Sequence, residues 1–294
     1  MKQKPDTIPP RIRNAMTIDV EDYFHVQGFS DVISPSRWDE FPSRVERNTD
    51  FILEAMASRN RRATFFVLGW VAERYPSIVR RILAAGHELA SHGYNHQPAD
   101  KMKDCEYSQD VLRSRLLLED IGGLAVQGYR APTFSIGTRN PQAWAILEAA
   151  GYRYSSSIFP IRHDLYGVPD APRSPYRPQN GRLLEIPLTT VRVLGRNIPC
   201  SGGGYFRLLP YWIYKFCIST LQHQEKRPAI FYTHPWELDP LQPRITNARR
   251  RSKFRHYVNL QRMPTRFTEL LADFDWGRID DVFAPLLSQA QGEK

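Results

Sequence analysis

Two histidines separated by three residues, His92 and His96, are the residues in this sequence whose type and spacing most directly suggest chemistry. Neutral imidazole nitrogens bind zinc and neighbouring divalent metals, and an enzymatic site adds a third protein ligand and leaves a position open for water. A packing or surface role is the alternative for such a pair. The spacing therefore predicts a metal site if an acidic partner lies elsewhere in the chain.

Three acids, Asp19, Glu21 and Asp22, are the candidates for that partner, because they end an apolar, strand-like run at residues 13–19. In α/β chains, functional groups gather at the C-terminal ends of strands, and the histidines follow a predicted strand at residues 88–91. The shared placement favours one common site. A solvated turn containing a helix N-cap is the alternative for the acids.

Two further strand ends carry polar groups. Arg130 ends the predicted strand 126–130, and His234 follows the predicted strand 228–233. An arginine beside a carboxylate keeps it ionised and oriented, and a histidine at such a position can give or take a proton near neutral pH. A surface salt bridge and a core histidine would explain each residue alone. Because four polar clusters end four strands in order, we expect one catalytic pocket.

The elements that position these residues alternate between strand and helix. The predicted strands span residues 13–19, 63–68, 88–91, 126–130, 152–155, 183–187, 190–194 and 228–233. The predicted helices span residues 43–58 with Ser43 as N-cap, 71–85, 104–121, 141–150, 210–222 and a closing segment to 271. Repeated βα units with short connections imply parallel strands joined by right-handed crossovers. The fold class is therefore α/β.

One domain is expected, because no internal repeat and no long linker divides the 294 residues. Residues 1–12 form a polar N-terminal tail, and residues 13–294 form the domain. Irregular insertions are predicted at about 158–182 and 195–209, and an extension begins at about 235.

Composition limits the partners and the location. The three cysteines lack CxxC spacing, which argues against a disulfide framework and a thiolate metal site. The net charge of +9 is spread along helices, so no nucleic-acid partner is expected. The basic stretch 244–255 is predicted to be a solvated helix face, with peripheral contact to an anionic lipid surface or a phosphate-bearing substrate as alternatives. No transmembrane or secretory segment is visible, which predicts a cytoplasmic location.

With these four motifs, the sequence resembles the polysaccharide deacetylases of carbohydrate esterase family 4, the NodB-homology family. The matching motifs are Thr-Ile-Asp-Val-Glu-Asp at 17–22, Ser-His-Gly-Tyr-Asn-His at 91–96, Arg-Ala-Pro at 130–132 and Thr-His at 233–234. Residues 203–207 and 234–240 resemble the branch of exopolysaccharide loci linked to PEP-CTERM/exosortase systems. The resemblance covers about residues 15–270 and implies a distorted, incomplete (β/α) barrel, seven-stranded and TIM-like.

The resemblance also implies a reaction, the metal-dependent removal of N-acetyl groups from an amino-sugar polysaccharide or its precursor in exopolysaccharide biosynthesis. A divalent metal, with Zn²⁺ as the expected ion, would be held by His92, His96 and an acid. Asp19 would be the base, His234 the general acid and Arg130 the residue that orients Asp19. A backbone donor at Tyr94 or in the loop 202–204 would stabilise the oxyanion. The implied substrate contacts are Tyr94, Pro132, Tyr205 and Trp236, with Tyr23, Phe24 and Trp38 as further aromatic walls or core.

Two departures from the family pattern affect these roles. Val20 replaces the usual second aspartate, so the ligand becomes Glu21, returned to the face of Asp19 by strand alternation, with Asp22 as the fallback. Ser155 stands where related sequences often carry an aspartate that contacts the arginine. A hydrolase of non-sugar C–N amide bonds, allantoinase-like, and a catalytically silent glycan-binding homologue are the alternatives. The substrate could be a polymer or a lipid- or nucleotide-linked sugar.

Overall fold

The structure, a computed structural model that describes residues 12–289, is organised around one parallel β-sheet. The strands of the chain are β1 (Asn14–Val20), β2 (Thr64–Val67), β3 (Glu88–Ser91), β4 (Gly128–Tyr129), β5 (Tyr154–Ser155), β6 (Leu184–Glu185), β7 (Thr190–Val193), β8 (Arg196–Pro199), β9 (Ile230–Thr233) and β10 (Trp276–Gly277). The order across the sheet is β9-β1-β2-β3-β4-β5-β6, and β10 pairs with the first residues of β1. Of the predicted tail at 1–12, all but residue 12 lies outside the described residues, as do residues 290–294 of the predicted domain.

Most helices lie between strands along the chain, and the last two follow β10. They are α1 (Val45–Ala57), α2 (Gly69–Arg74), α3 (Pro76–Ala84), α4 (Asp104–Gly122), α5 (Ala143–Ala149), α6 (Gly203–Leu208), α7 (Tyr211–His223), α8 (Arg250–Tyr257), α9 (Met263–Asp273), α10 (Ile279–Val282) and α11 (Ala284–Ser288). None of these helices in residues 12–289 is both long and apolar enough to span a bilayer.

The sheet curves into an incomplete barrel. Every pairing along it is parallel, and in the described residues β6 and β9 are not paired with each other, so the barrel stays open there. A large apolar cluster fills the space around the strands, and a second one contains Phe66, Tyr154, Phe159 and Tyr232. The predicted distorted (β/α) barrel is confirmed.

Strand β1 is the centre of this arrangement, because every one of its residues is buried and it pairs with three other strands. A strand covered on both faces favours continuous apolar sequence rather than alternation, which is why β2, with the sequence Thr-Phe-Phe-Val, was predictable. The register sets Ile18 beside Thr233 and Ser91 beside Tyr129. The next residues, Asp19 with His234 and His92 with Arg130, therefore lie side by side at this end of the sheet.

Two helix predictions were wrong in detail. The predicted helix 71–85 is two helices, α2 and α3, that meet at Tyr75 and Pro76. Proline lacks the backbone N–H and disfavours helical geometry in the residue before it. Ser43 does not cap α1, which begins at Val45 with no side-chain hydrogen bond from its N-cap residue Arg44. The side chain that serves this helix start is described below.

The region predicted as an irregular insertion at 195–209 contains β8 and α6. Strand β7 does not join the parallel sheet, and it forms an antiparallel hairpin with β8 instead. Strand β10, only two residues long, was not predicted, since two residues give no periodicity to detect. The pairing of β9 and β10 with β1 brings the C-terminal part of the chain into the same sheet as the N-terminal part.

Candidate active site

The two acids at the end of β1, Asp19 and Glu21, face one pocket, although the strand does not continue through both. It ends at Val20, and the Glu21 amide donates a hydrogen bond to the Asp19 carbonyl at 3.0 Å, which closes a tight turn. His234 Nε2 lies 3.9 Å from Asp19 Oδ2 and 3.6 Å from Glu21 Oε1. The expectation that both acids share a face agrees with this placement, but a turn and not strand alternation produces it.

Glu21, His92 and His96 form a cluster whose candidate ligand atoms all lie within 4.8 Å of one another. The three side chains are buried, and His96 Nε2 is 2.6 Å from Glu21 Oε2. Despite this proximity, Glu21 Oε2 is a buried atom without a hydrogen-bond partner in the described chain. A desolvated carboxylate oxygen is costly unless a cation satisfies it. Two imidazoles and one carboxylate are a donor set that fits zinc or a related divalent ion.

Neighbouring groups orient these candidate ligands. The Nδ1 atom of His92 lies 2.9 Å from the Arg130 carbonyl, which can only accept, so Nδ1 carries the proton and the Nε2 lone pair is free. Burial lowers the pKa of His92 to about 4, which keeps the ring in the neutral form that metal binding needs. The Trp236 indole donates to Glu21 Oε1 at 3.2 Å and leaves Oε2 for the cluster.

Asp22, the fallback ligand, lies outside this cluster and serves the start of α1. Its Oδ2 accepts hydrogen bonds from the Arg44 and Val45 amides, at 2.6 and 3.0 Å, and from the Ser43 hydroxyl at 2.8 Å. Free amides at a helix start need acceptors, and a carboxylate there is also favoured by the helix dipole. Asp22 is thus a helix cap contributed from outside α1, and its placement leaves Glu21 as the acid that lies beside His92 and His96.

Arg130 is fully buried and holds Asp19. Its Nη1 donates to Asp19 Oδ1 at 2.6 Å and to Thr17 Oγ1 at 2.8 Å, and its remaining donors reach the carbonyl and hydroxyl of Ser156 at 3.0 Å each. The guanidinium also lies 4.1 Å from the centre of the Phe66 ring. The Ser155 hydroxyl donates to Ser157 instead. Asp19 is therefore the single carboxylate paired with Arg130 among the described residues.

His234 is held by Glu237, a residue to which none of the four sequence motifs assigns a role. The Nδ1 atom of His234 lies 2.7 Å from Glu237 Oε1, on the 3-10 turn Pro235–Leu238 that follows β9. Glu237 Oε2 in turn accepts from Nε of the buried Arg207 at 2.8 Å. The other donors of Arg207 bond to the carbonyls of residues 255, 256 and 258. The spacing of three residues between His234 and Glu237 was the available signal.

The charged neighbours of Glu237 and His234 shift the pKa values of both groups. Burial acts to raise the pKa of Glu237, but Arg207 and His234 outweigh it and lower the pKa to about 2. Burial acts to lower the pKa of His234, but Glu21, Glu237 and Asp19 outweigh it and raise the pKa to about 9. Near neutral pH, His234 is therefore protonated and can donate a proton from Nε2.

The glycine run 202–204 has a structural explanation. A Cβ on Gly203 would lie 2.2 Å from a carboxylate oxygen of Glu237, so only glycine allows the Glu237 carboxylate to lie against this backbone. Gly202 has a φ of +93°, which disfavours other residues. The run therefore provides room for the partner of His234.

The predicted substrate contacts take different positions. The Tyr94 amide donates to Asp110 at 2.9 Å and its hydroxyl to Glu73 at 2.6 Å, so neither group is free to serve an oxyanion. Trp236 is buried between His234 and His256, with ring centres 5.2 and 4.1 Å away. Pro132 is buried beyond Arg130, whereas Tyr205 is partly exposed. Tyr23, Phe24 and Trp38 belong to the main apolar cluster, with exposures of 5% or less.

A cleft of about 600 Å³ opens beside His96 and reaches towards the surface. Its lining includes Trp38, Trp70, Tyr94, Asn95 and Pro98. The side chain of His234 is 20% exposed, so the proton donor is accessible from outside. The basic stretch 244–255 is partly neutralised within the chain, because Arg251 and Arg255 pair with Asp164 and Arg249 pairs with Asp31.

Comparison with known proteins places two adjoining family matches on this chain. Residues 36–155 match the polysaccharide deacetylase family, and residues 156–284 match a domain of unknown function, DUF3473. The second match therefore contributes β6, β9, β10, His234 and Glu237 to the sheet and site described above.

Curated relatives match about a third of the chain. A peptidoglycan-N-acetylglucosamine deacetylase of Bacillus cereus is 35% identical over 97 residues, which are 33% of this chain and 35% of that protein. A chitooligosaccharide deacetylase of Bradyrhizobium is 26% identical over 92 residues, 31% of this chain and 42% of that protein. A peptidoglycan deacetylase of Helicobacter pylori is 30% identical over 96 residues, 33% of this chain and 32% of that protein. The chain thus spans less than half the length of these relatives.

A solved structure matches more of the chain. The crystal structure of a Mycobacterium smegmatis protein assigned as a polysaccharide deacetylase has a TM-score of 0.59 and 19% identity. The match covers 96% of this chain and 92% of that one, which supports the barrel fold.

Proposed function

We propose that this chain is a metal-dependent hydrolase that removes N-acetyl groups from an amino-sugar glycan, because residues 36–155 match the polysaccharide deacetylase family and residues 156–284 match DUF3473. The observation that carries the proposal is the placement of Asp19 and His234 around the Glu21, His92 and His96 cluster. A base, an acid and a metal site in one pocket are the parts that amide hydrolysis requires.

Glu21, His92 and His96 would hold the ion, with Zn²⁺ as our proposed metal. A divalent ion there would polarise the acetamido carbonyl and lower the pKa of a water molecule. Asp19 would take the proton from that water, and Arg130 orients Asp19 through the 2.6 Å contact with its Oδ1. The oxygen Oδ2, which faces His234, is the basic atom.

His234 completes the reaction by donating its Nε2 proton to the leaving amine nitrogen as the C–N bond breaks. Glu237 holds the Nδ1 side of the ring and stabilises the imidazolium. Trp236 has a positioning role here, rather than the sugar-stacking role that the resemblance implied, because its indole holds Glu21.

The substrate class that we propose is a glycan containing N-acetylglucosamine, because the relatives named above are deacetylases of peptidoglycan and chitooligosaccharide. The cleft beside His96 offers exposed polar side chains, Asn95 and Gln97, that can hydrogen-bond sugar hydroxyls. An exopolysaccharide or its lipid- or nucleotide-linked precursor is our finer proposal, supported by the resemblance of residues 203–207 and 234–240. We propose that both matched segments act as one catalytic domain, since β5 of the first pairs with β6 of the second, and β1 joins β2 of the first to β9 of the second.

The test is acetate release from N-acetylglucosamine oligomers by the zinc-loaded protein, with allantoin as a non-sugar amide substrate in parallel. The proposal predicts acetate and a free amine in equal amounts from the oligomers and no hydrolysis of allantoin. Oligomer binding without acetate release would contradict the proposal and indicate a silent glycan-binding protein. Hydrolysis of allantoin alone would contradict the sugar assignment.

A further inference from the structure

The tip of the β7–β8 hairpin combines two local features that are each unfavourable in water. Leu194 and Gly195 form the two-residue turn that the Val193–Arg196 pair closes. Leu194 has a φ of +48°, in the left-handed region that asparagine or glycine normally occupies in such turns. Its side chain is also 98% exposed. Residues that break local rules without a packing gain occur mainly at functional sites.

The outer face of the hairpin continues this apolar surface. Val193 and Ile198, which alternate with polar residues along the two strands, are 46% and 39% exposed. Further inward on the same face, Val191 is buried in the main apolar cluster, which also contains Cys217 and Ile218 of α7. The hairpin is thus anchored in the core at its base and presents apolar side chains at its free end.

Two arginines flank the tip of the hairpin. Arg192 lies on the opposite face from Val193, whereas Arg196 lies across from Val193 on the same face. The hairpin borders a groove of about 930 Å³ whose lining includes Arg162, Arg173, Arg192 and Arg196, with Asp170 as the one acidic side chain. Arg192 and Arg196 are exposed, and neither forms an ion pair within the described part of the chain. Arg173 is paired with Glu225. Two arginines without partners therefore flank the apolar tip on either side of the turn.

We propose that this hairpin docks on the surface of an anionic phospholipid bilayer. Leu194 and Val193 enter the boundary between headgroups and acyl chains, and Arg192 and Arg196 contact lipid phosphates. Charge complementarity selects this partner, because a membrane surface matches an apolar tip with flanking arginines, whereas a soluble anionic glycan would use the groove and leave Leu194 in water. This inference does not depend on the catalytic proposal.

The test is co-sedimentation of the full chain with vesicles of phosphatidylcholine, alone or mixed with phosphatidylglycerol. We expect binding to the mixed vesicles that weakens as salt is added. Leu194→Asn should reduce the partition coefficient by about tenfold or more, because the leucine side chain that enters the bilayer is lost. Its melting temperature should stay equal to that of the wild type or rise, since asparagine tolerates the left-handed conformation. Loss of vesicle binding with an unchanged or higher melting temperature therefore reports on membrane docking and not on folding.

A charge-matched pair of variants tests the arginines. Arg192→Gln/Arg196→Gln should weaken vesicle binding by more than tenfold, whereas Arg47→Gln/Arg80→Gln, which removes the same charge from the exposed faces of α1 and α3, should weaken it far less. Equal effects of the two pairs, an absence of wild-type binding, or full binding by Leu194→Asn would each overturn the proposal. Loss of a self-associated species in Leu194→Asn during sedimentation without vesicles would instead assign the tip to a second copy of the chain.

Discussion

The indole Nε1 of Trp236 donates a hydrogen bond to Glu21 Oε1 at 3.2 Å, joining two residues 215 positions apart in the sequence. This contact leaves the second carboxylate oxygen facing His96. The groups behind a metal ligand fix its orientation, and their loss typically weakens metal binding by about 10- to 100-fold.

Trp236→Phe keeps an aromatic ring between His234 and His256 but removes the donor to Glu21. We therefore expect zinc affinity to fall by about tenfold, measured by competition with a chromophoric chelator. Trp212→Phe, at a tryptophan that is 69% exposed on α7, is the control and should bind zinc as the wild type does. Wild-type affinity in Trp236→Phe would mean that Glu21 does not depend on this hydrogen bond.

Asp22 and Glu21 should respond differently to substitution, although they are adjacent. Asp22→Ala removes the acceptor for the first amides of α1 and should lower the free energy of unfolding by about 1–2 kcal/mol. Zinc content by mass spectrometry should stay unchanged. Glu21→Gln should lose zinc.

Asp120→Ala is the control for stability, since Asp120 is exposed on α4, and a change within about 0.5 kcal/mol is expected there. Loss of zinc in Asp22→Ala alone would reverse the assignment of the two acids.

Glu237→Gln should change the pH dependence of the reaction. Glu237 is among the groups that raise the pKa of His234 to about 9, and the general acid must be protonated to act. Removing the carboxylate charge lowers the pKa of His234, so the alkaline limb of the pH–activity profile should move to lower pH. We also expect kcat to fall by about 10- to 100-fold with KM nearly unchanged.

The melting temperature and the alkaline limb of the pH–activity profile distinguish a structural effect of Glu237→Gln from an effect on the pKa of His234. The buried Arg207 loses its carboxylate partner, so a lower melting temperature is expected. A purely structural effect would lower the melting temperature without moving the limb. If the alkaline limb stays at the wild-type pH, Glu237 does not raise the pKa of His234.

Glu88 should make stability depend on pH. This buried acid accepts hydrogen bonds from Thr64 and Tyr154, and burial, together with Asp280, raises its pKa to about 7. Because the folded pKa exceeds that of the unfolded chain, the contribution of the neutral acid is complete below about pH 4.5 and is lost as the pH rises to about 7.

Glu88→Gln should therefore show a smaller fall in urea midpoint between pH 5 and pH 8 than the wild type. Glu54→Gln, at an exposed position on α1, should leave the wild-type fall intact. An identical fall in Glu88→Gln and wild type would show that other groups carry the pH dependence.

The sequence predicted those parts of the fold and site that have local signals. β2 is an apolar run bounded by turns, and Asp19, His92, Arg130 and His234 stand at or next to strand ends, where parallel register brings them together. The contacts of Arg207 were not predictable, because its partners are Glu237 and three backbone carbonyls about 50 residues away. Strand β8 was missed because Arg-Asn-Ile-Pro contains one β-branched residue.

Acetate release from N-acetylglucosamine oligomers by metal-free and metal-restored protein measures whether the reaction depends on the proposed ion. We expect release to be lost after chelation and to recover with zinc in the wild type. We expect no recovery in Asp19→Asn, although that variant should regain zinc at the Glu21, His92 and His96 cluster. Metal-dependent hydrolysis with Asp19 as base is wrong if release survives chelation, or if zinc-loaded Asp19→Asn releases acetate at the wild-type rate.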